Sequence, residues 1–353
     1  MKKYFLMLAV ALATGMVFTS CGDDDDEGGG GGSFSGKSTA GQLDDGMGSD
    51  ALPEGYRISA VKYSNSSYND YLNSSYLYDE KGNLKQIYVD GEYLEINGNT
   101  ISKDYDDEDG EINATLTLST NNKGNITKMV LKLFGNAYGF KVSGGGTTTF
   151  SYNSNQQLTN VSLNYKASAG PESLTESGEV KLSYNGSILQ RITKTSKYVE
   201  AGSDGKYQGN ETSTNLMQYD KEADNVYYQW TPRIVSEIRL GEMEDFFSAF
   251  AFLGMLGRSS SVLPSSFLHA WTQHDIDRHG DPDDDEGEGT YNCSYSFNAY
   301  GAIRKADGYD YSYTTITPDY DVKATRAAEE DVLKPFVQKE ESCIGRFFRC
   351  HRK

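Results

Sequence analysis

Between Tyr76 and Asp307 one pattern recurs five times: an alternating apolar and polar run, a turn of Asn, Asp or Gly, and a second alternating run. It stands in YLYDEKGNLKQIYV (Tyr76–Val89), LTLSTNNKGNITKMVLKL (Leu116–Leu133), TFSYNSNQQLTNVSLNY (Thr149–Tyr165), VKLSYNGSILQRITKT (Val180–Thr195) and YSFNAYGAIRKAD (Tyr295–Asp307). Alternation places successive side chains on opposite faces of a strand. Asn and Gly tolerate the positive φ that tight hairpin turns require. A chain written this way folds as a long antiparallel meander. Composition agrees, with 26 Tyr but only 7 Pro. Tyrosine favours strands with one wet face, where the ring packs and the hydroxyl reaches water.

The pattern breaks between about residues 231 and 269. EMEDFFSAFAFLGMLG places Phe246, Phe247, Phe250, Leu253 and Leu256 at near-helical spacing. The apolar part is shorter than the ~20 residues of a membrane-spanning helix. Pro264 ends any continuation. A hydrophobic helix inside a sheet protein needs a surface to cover, and the concave face of a curled sheet supplies one. The expected fold is mainly β with one or two core helices. It is a strongly curved antiparallel meander sheet, an unclosed barrel, with the apolar helix on its concave face.

The N-terminus carries targeting information. Lys2 and Lys3 precede an apolar run from Tyr4 to Phe18, and Thr19 and Ser20 are small residues before Cys21. This is the layout of an export signal. FTSC resembles a bacterial lipobox, with Phe18 where Leu is usual, which implies a diacylglycerol thioether on Cys21. The acidic run Gly22–Glu27 resembles the signal that sends Bacteroidota lipoproteins to the outer face of the outer membrane. Removing Lys2 and Lys3 leaves 31 basic and 51 acidic side chains. A chain so acidic repels phosphate backbones and anionic head groups, so neither nucleic acid nor a lipid surface is an electrostatic partner. The membrane is held through the N-terminal lipid. The expected divisions are 1–20 signal peptide, 21–55 lipidated acidic Gly/Ser tether, 56–318 β domain and 319–353 a tail, part helical or disordered.

Several motifs were weighed as chemistry. GGSFSGKS (Gly31–Ser38) matches the phosphate-binding loop pattern, but a strand must precede it and a helix follow it. Acids and glycines surround it instead, so no nucleotide is expected. The acidic stretches Asp104–Glu111 and Asp281–Gly289 miss the ligand positions of an EF-hand and read as acidic turns or loops. His269, His274 and His279 fall five apart, not at the three or four of a helical zinc site, and read as an exposed loop. No cofactor or metal is expected and no catalytic residue stands out. Trp230 and Trp271 flank the helical segment. Each is able to stack on a sugar, though sealing the helix against the sheet is the simpler role. Cys343 and Cys350 are able to close a disulfide in an oxidising compartment.

YLYDEKGNLKQI (Tyr76–Ile87), its later copies, and FAFLGMLGRSSSVLP (Phe250–Pro264) resemble a family of Bacteroidota surface lipoproteins. Its domain is described as a porin-chaperone fold, similar to periplasmic lipoprotein carriers. The resemblance covers roughly residues 56–315. It implies an unclosed barrel plugged by helices and brings no substrate with it. The leading functional expectation is a non-enzymatic cell-surface lipoprotein that binds an apolar or amphipathic ligand, or a partner protein, through a curved sheet. The alternatives are a glycan-binding accessory protein of a surface nutrient-uptake system and a carboxylate-dependent hydrolase.

Overall fold

The computed structural model describes residues 56–63, 73–79, 84–89, 92–107, 110–137, 139–203, 205–219, 223–240, 244–277, 279–298 and 301–315. Cys21, Cys343, Cys350 and the Gly31–Ser38 stretch lie outside the described residues.

A meander dominates. Its first members are β1 (Tyr56–Tyr63), β2 (Ser74–Tyr78), β3 (Leu84–Val89), β4 (Glu92–Asn97), β5 (Thr100–Asp107) and β6 (Gly110–Thr120). The longer strands follow: β7 (Ile126–Ala137), β8 (Phe140–Tyr152), β9 (Leu158–Ala169), β10 (Glu172–Asn185), β11 (Ile188–Gly202) and β12 (Gly205–Gln218). Each pairs antiparallel with the next. The chain then leaves the sheet. A small ribbon of β13 (Ala223–Asp224) and β14 (Val262–Leu263) frames two helices, α1 (Pro232–Ile238) and α2 (Glu244–Phe252). β15 (Ser266–Ile276) returns beside β12, and β16 (Pro282–Asn292) lies beside β15. Finally β17 (Tyr295–Phe297), β18 (Ile303–Ala306) and β19 (Tyr309–Thr315) lead back to β1. The result is one open sheet of 17 strands, not a closed barrel, with β16 and β17 as its edges.

The recurring turns share a mechanism. The side-chain oxygens of Asn121, Asn153 and Asp277 each accept from two backbone amides, two and four residues ahead, at 2.8–3.0 Å. A short acceptor at the start of the turn thereby satisfies amides that the strands leave unpaired.

Thr231 caps α1, accepting from the Ile234 amide, and Pro232 opens it with its φ already helical. α2 ends at Phe252, earlier than the spacing to Leu256 suggests. Gly254 and Gly257 take positive φ and turn the chain back. Leu253, Met255 and Leu256 remain buried in that turn. The Phe246 side chain lies outside the described residues.

Both helices lie on the concave face, and the core forms between them and the sheet. Phe247, Phe250 and Phe267 are wholly buried. Trp230 is 1% exposed, and its Nε1 donates to the Gly257 carbonyl at 2.8 Å. Tyr hydroxyls reach into this layer rather than into water. Tyr76 donates to the Ala249 carbonyl at 3.0 Å, and Tyr311 to the Trp230 carbonyl at 2.8 Å. Burial pushes both phenols well above their ordinary range. Gly178 of β10 permits a close approach of sheet and helical layer, since a Cβ there would stand 2.8 Å from a Leu240 methyl.

Two expectations are corrected. Asp281–Gly289 is not a loop: its residues from Pro282 onward form strand β16. Trp271 does not seal the helices. It stands within β15, half-buried, while Trp230 alone of the pair serves as the seal. Replacing Trp230 by Ala is expected to cost about 3–5 kcal/mol of stability in urea unfolding, and Trp271→Ala about 1 kcal/mol or less. Equal losses for the two variants would contradict this assignment.

Candidate functional site

The concave face divides in two. On β7, β9 and β10 the inward positions are apolar: Met129, Leu131, Val161, Leu163, Val180 and Leu182 are all buried. Where β11, β12, β15 and β16 extend beyond the helices, the inward positions become polar. Along β15 they are His269, Trp271, Gln273 and Asp275, every second residue. Opposite them on β12 stand Asn215, Ser213, Glu211 and Gly209. Opposite them on β16 stand Gly289, Gly287, Asp285 and Asp283.

At the helical end of this strip a charged network ties α1 to the sheet. Arg233 pairs with Glu237 at 2.9 Å, and Asn215 donates to Glu237 at 2.8 Å. His269 Nδ1 lies 2.8 Å from Asn215 Oδ1. The Arg233 guanidinium sits 3.8 Å from the centre of the Tyr291 ring, a cation–π contact. These contacts tie α1 to β12 and β15 and hold it in place.

At the far end a second cluster surrounds Asp275. Tyr198 donates to its Oδ1 at 2.8 Å, and Tyr207 to its Oδ2 at 2.6 Å. Gln273 donates to Oδ2 at 2.7 Å. Only a glycine fits beneath: a Cβ on Gly209 would stand 2.0 Å from Asp275 Oδ1. Burial alone would raise this carboxyl's pKa. The three donors outweigh it, so the group lies below its ordinary range and stays ionised.

Between the clusters lies Trp271. Its ring rests over Gly287, where an added Cβ would meet Nε1 at 2.9 Å and Cε2 at 3.0 Å. The ring thus covers bare backbone on one side. Glu211 beside it is balanced by Lys194 at 3.8 Å.

The three histidines neither converge nor form an exposed loop, since His269 and His274 stand within strand β15. His269 faces inward, His274 outward where it pairs with Asp284, and His279 occupies the β15–β16 turn. Among the described residues no group of three or more His, Cys, Asp or Glu is placed to hold a metal ion. Asp104–Glu111 spans the β5–β6 turn, and most of its side chains lie outside the described residues. A shallow depression of about 900 Å³ also opens over β7–β10, around Gly144–Gly146.

Neither a protein-family model nor a curated protein matches the chain. Among solved structures it is similar to a porin-like protein from Bacteroides vulgatus, at 12% identity and a TM-score of 0.39 over 73% of this chain and 98% of that one. It is also similar to a porin-like protein from Bacteroides uniformis, at 13% identity and a TM-score of 0.23 over 61% of this chain and 96% of that one. Likeness at this level transfers no ligand or activity.

The junction between the sheet edges carries one strained group. Cys293 and Ser294 link β16 to β17, and the Ser294 amide donates to Asp307 Oδ1 at 2.9 Å. Asp307 has a φ of 50°, and its Oδ2 is buried with no hydrogen-bond partner. Burial pushes its carboxyl up to about 6, although the Ser294 amide and the Arg233 charge pull the other way. Burial likewise pushes the free Cys293 thiol up to about 12, which leaves it unreactive at neutral pH.

The raised Asp307 value has a defined sign. Between about pH 4 and 6 the folded state holds the proton more tightly than the unfolded state, so stability falls as pH rises through that window and stays lower above it. Asp307→Asn keeps the Oδ1 acceptor, tolerates the positive φ and removes the charge. It is expected to stabilise the protein at pH 7.5 by up to about 3 kcal/mol and to give little change at pH 4. Thermal unfolding across pH measures this, and equal effects at both pH values would contradict it.

Proposed function

We propose that the protein is a non-enzymatic, lipid-anchored protein of the outer-membrane surface that binds its ligand on the open, polar half of the concave face. The division of that face carries the reading. The helical layer fills the apolar half down to Trp230, Phe247 and Phe250. The strip that runs from His269 to Asp275 lies outside that layer and is taken as the ligand surface, the depression over β7–β10 being the other open region. This moves the reading away from an enclosed lipid site, and towards an amphipathic or polar ligand laid along strands.

Anchoring rests on Cys21 and the acidic run that follows it. A flexible tether of ~35 residues would typically span about 30 Å, enough to hold the sheet clear of head groups.

Cells grown with an alkyne palmitate analogue are expected to label the wild-type protein and not Cys21→Ala. The variant should also leave the membrane pellet. Protease added to intact cells should degrade the wild-type protein if it faces outward. Labelling that persists in Cys21→Ala, or full protease resistance on intact cells, would overturn the anchored surface reading.

A further inference from the structure

We propose that the strip centred on Trp271 is a saccharide-binding subsite, with the indole as stacking platform and Gln273, Glu211 and Asp285 as hydroxyl partners. The proposal rests on the binding reading above and names the ligand class for it.

The platform is the first observation. An aromatic ring binds a sugar when one face is backed by protein and the other is free. Trp271 is half-buried, and one side of its ring lies on the backbone of Gly287. The opposed residue on β12 is Ser213, small and buried. No larger neighbour across either strand competes for the other face. Trp271 Nε1 donates to no group among the described residues, unlike Trp230 Nε1, which is spent on Gly257. A partly exposed indole suits a ligand that is apolar on its face and polar at its rim, and a pyranose ring is both.

The partners are the second observation. Successive inward positions on a strand are about 7 Å apart. The next inward row beyond Trp271 is Gln273, flanked by Glu211 and Asp285. A ring seated on the indole would bring its hydroxyls against that row. The amide of Gln273 is oriented by its bond to Asp275 at 2.7 Å, and Lys194 holds Glu211 at 3.8 Å. Asp275 is in turn fixed by Tyr198 and Tyr207. Gln273 and Glu211 are thus positioned before any ligand arrives, which lowers the ordering cost of binding. From His269 to Asp275 the strip runs about 20 Å, room for a short linear oligosaccharide rather than one sugar.

Charge decides against the competing ligands. The acidic inward residues repel phosphorylated and carboxylated molecules. They would attract a basic peptide too, but Lys194 already pairs with Glu211, and three neutral donors occupy the oxygens of the ionised Asp275. What they retain is the ability to accept hydrogen bonds from hydroxyls.

Purified protein without its signal would be titrated with neutral gluco-, manno- and xylo-oligosaccharides in a calorimeter, and with a lysine-rich peptide as control. At least one sugar series is expected to bind, with little change between 50 and 500 mM salt. Trp271→Ala should weaken it by about tenfold or more. Trp271→Phe should recover part of the loss, and Trp271→Ala should unfold within a few degrees of wild type. Gly287→Val, which would displace the ring, should weaken binding as Trp271→Ala does. No binding across the three series overturns the saccharide assignment. Sugar binding that survives Trp271→Ala overturns it too, and places the ligand elsewhere on the protein. Salt-sensitive binding of the lysine peptide that is lost in Trp271→Ala also overturns it, while the binding reading stands.

Discussion

Trp230 is the point at which sheet and helical layer become one structure. Its ring is buried between them, its indole nitrogen holds the Gly257 carbonyl, and its own carbonyl accepts from Tyr311 of β19. The same residue therefore fixes the loop after α2 and the strand that runs back to β1. An open sheet gains stability only when its apolar face is covered. Here the cover is a single excursion between β12 and β15, so contacts such as these decide whether the curled sheet has a core at all. The 0% exposure of Phe247 and Phe250 follows from that cover.

The excursion has little regular structure, and its backbone must still be satisfied. Buried polar side chains do this. Asn225 donates to the carbonyls of Gln229 and Ser260 at 2.9 and 2.8 Å and accepts from the Gln229 amide at 2.9 Å. Gln229 donates to the Tyr313 hydroxyl and accepts from the Ile303 amide. Ser260 accepts from the Leu189 amide at 3.1 Å, and Ser187 and Ser261 share a hydroxyl contact at 2.7 Å. The Arg258–Ser261 segment thus holds the loop to the β10–β11 turn. Nothing in the sequence marks its serines as core residues, yet Ser259 and Ser260 are buried.

That contrast shows what the sequence makes legible. The hairpins were legible because alternation and the Asn or Asp turn acceptor are local signals. The helical cover was legible because Phe247, Phe250 and Leu253 repeat at helical spacing. The serine staples were not, because nothing local distinguishes a buried serine from a solvated one. The polar strip was half visible. His269, Trp271, Gln273 and Asp275 occupy every second position of HAWTQHDI, which is the signature of one strand face. The histidine spacing drew attention instead, and five residues on a strand puts neighbours on opposite faces. Asp275 and Tyr198 are 77 residues apart. Their meeting depends on the register of β11, β12 and β15, which no single segment encodes.

β16 shows two demands met by one strand. It is an edge, with backbone groups open to pairing by another chain. Asp283, Asp284, Asp285, Glu286 and Glu288 crowd that edge with negative charge, which opposes such pairing. An acidic run that resembles a calcium loop is thereby explained as protection of the sheet. Its two inward glycines serve the opposite purpose. Gly287 removes a side chain where the Trp271 ring needs room, while Gly289 stands in open space opposite His269. A strand built only for protection would carry polar side chains on both faces. The glycines break that pattern on the inward face alone, beside the partly exposed indole of the strip, so the inward face of this edge strand is shaped by the ring that packs on it rather than by the need to stay unpaired.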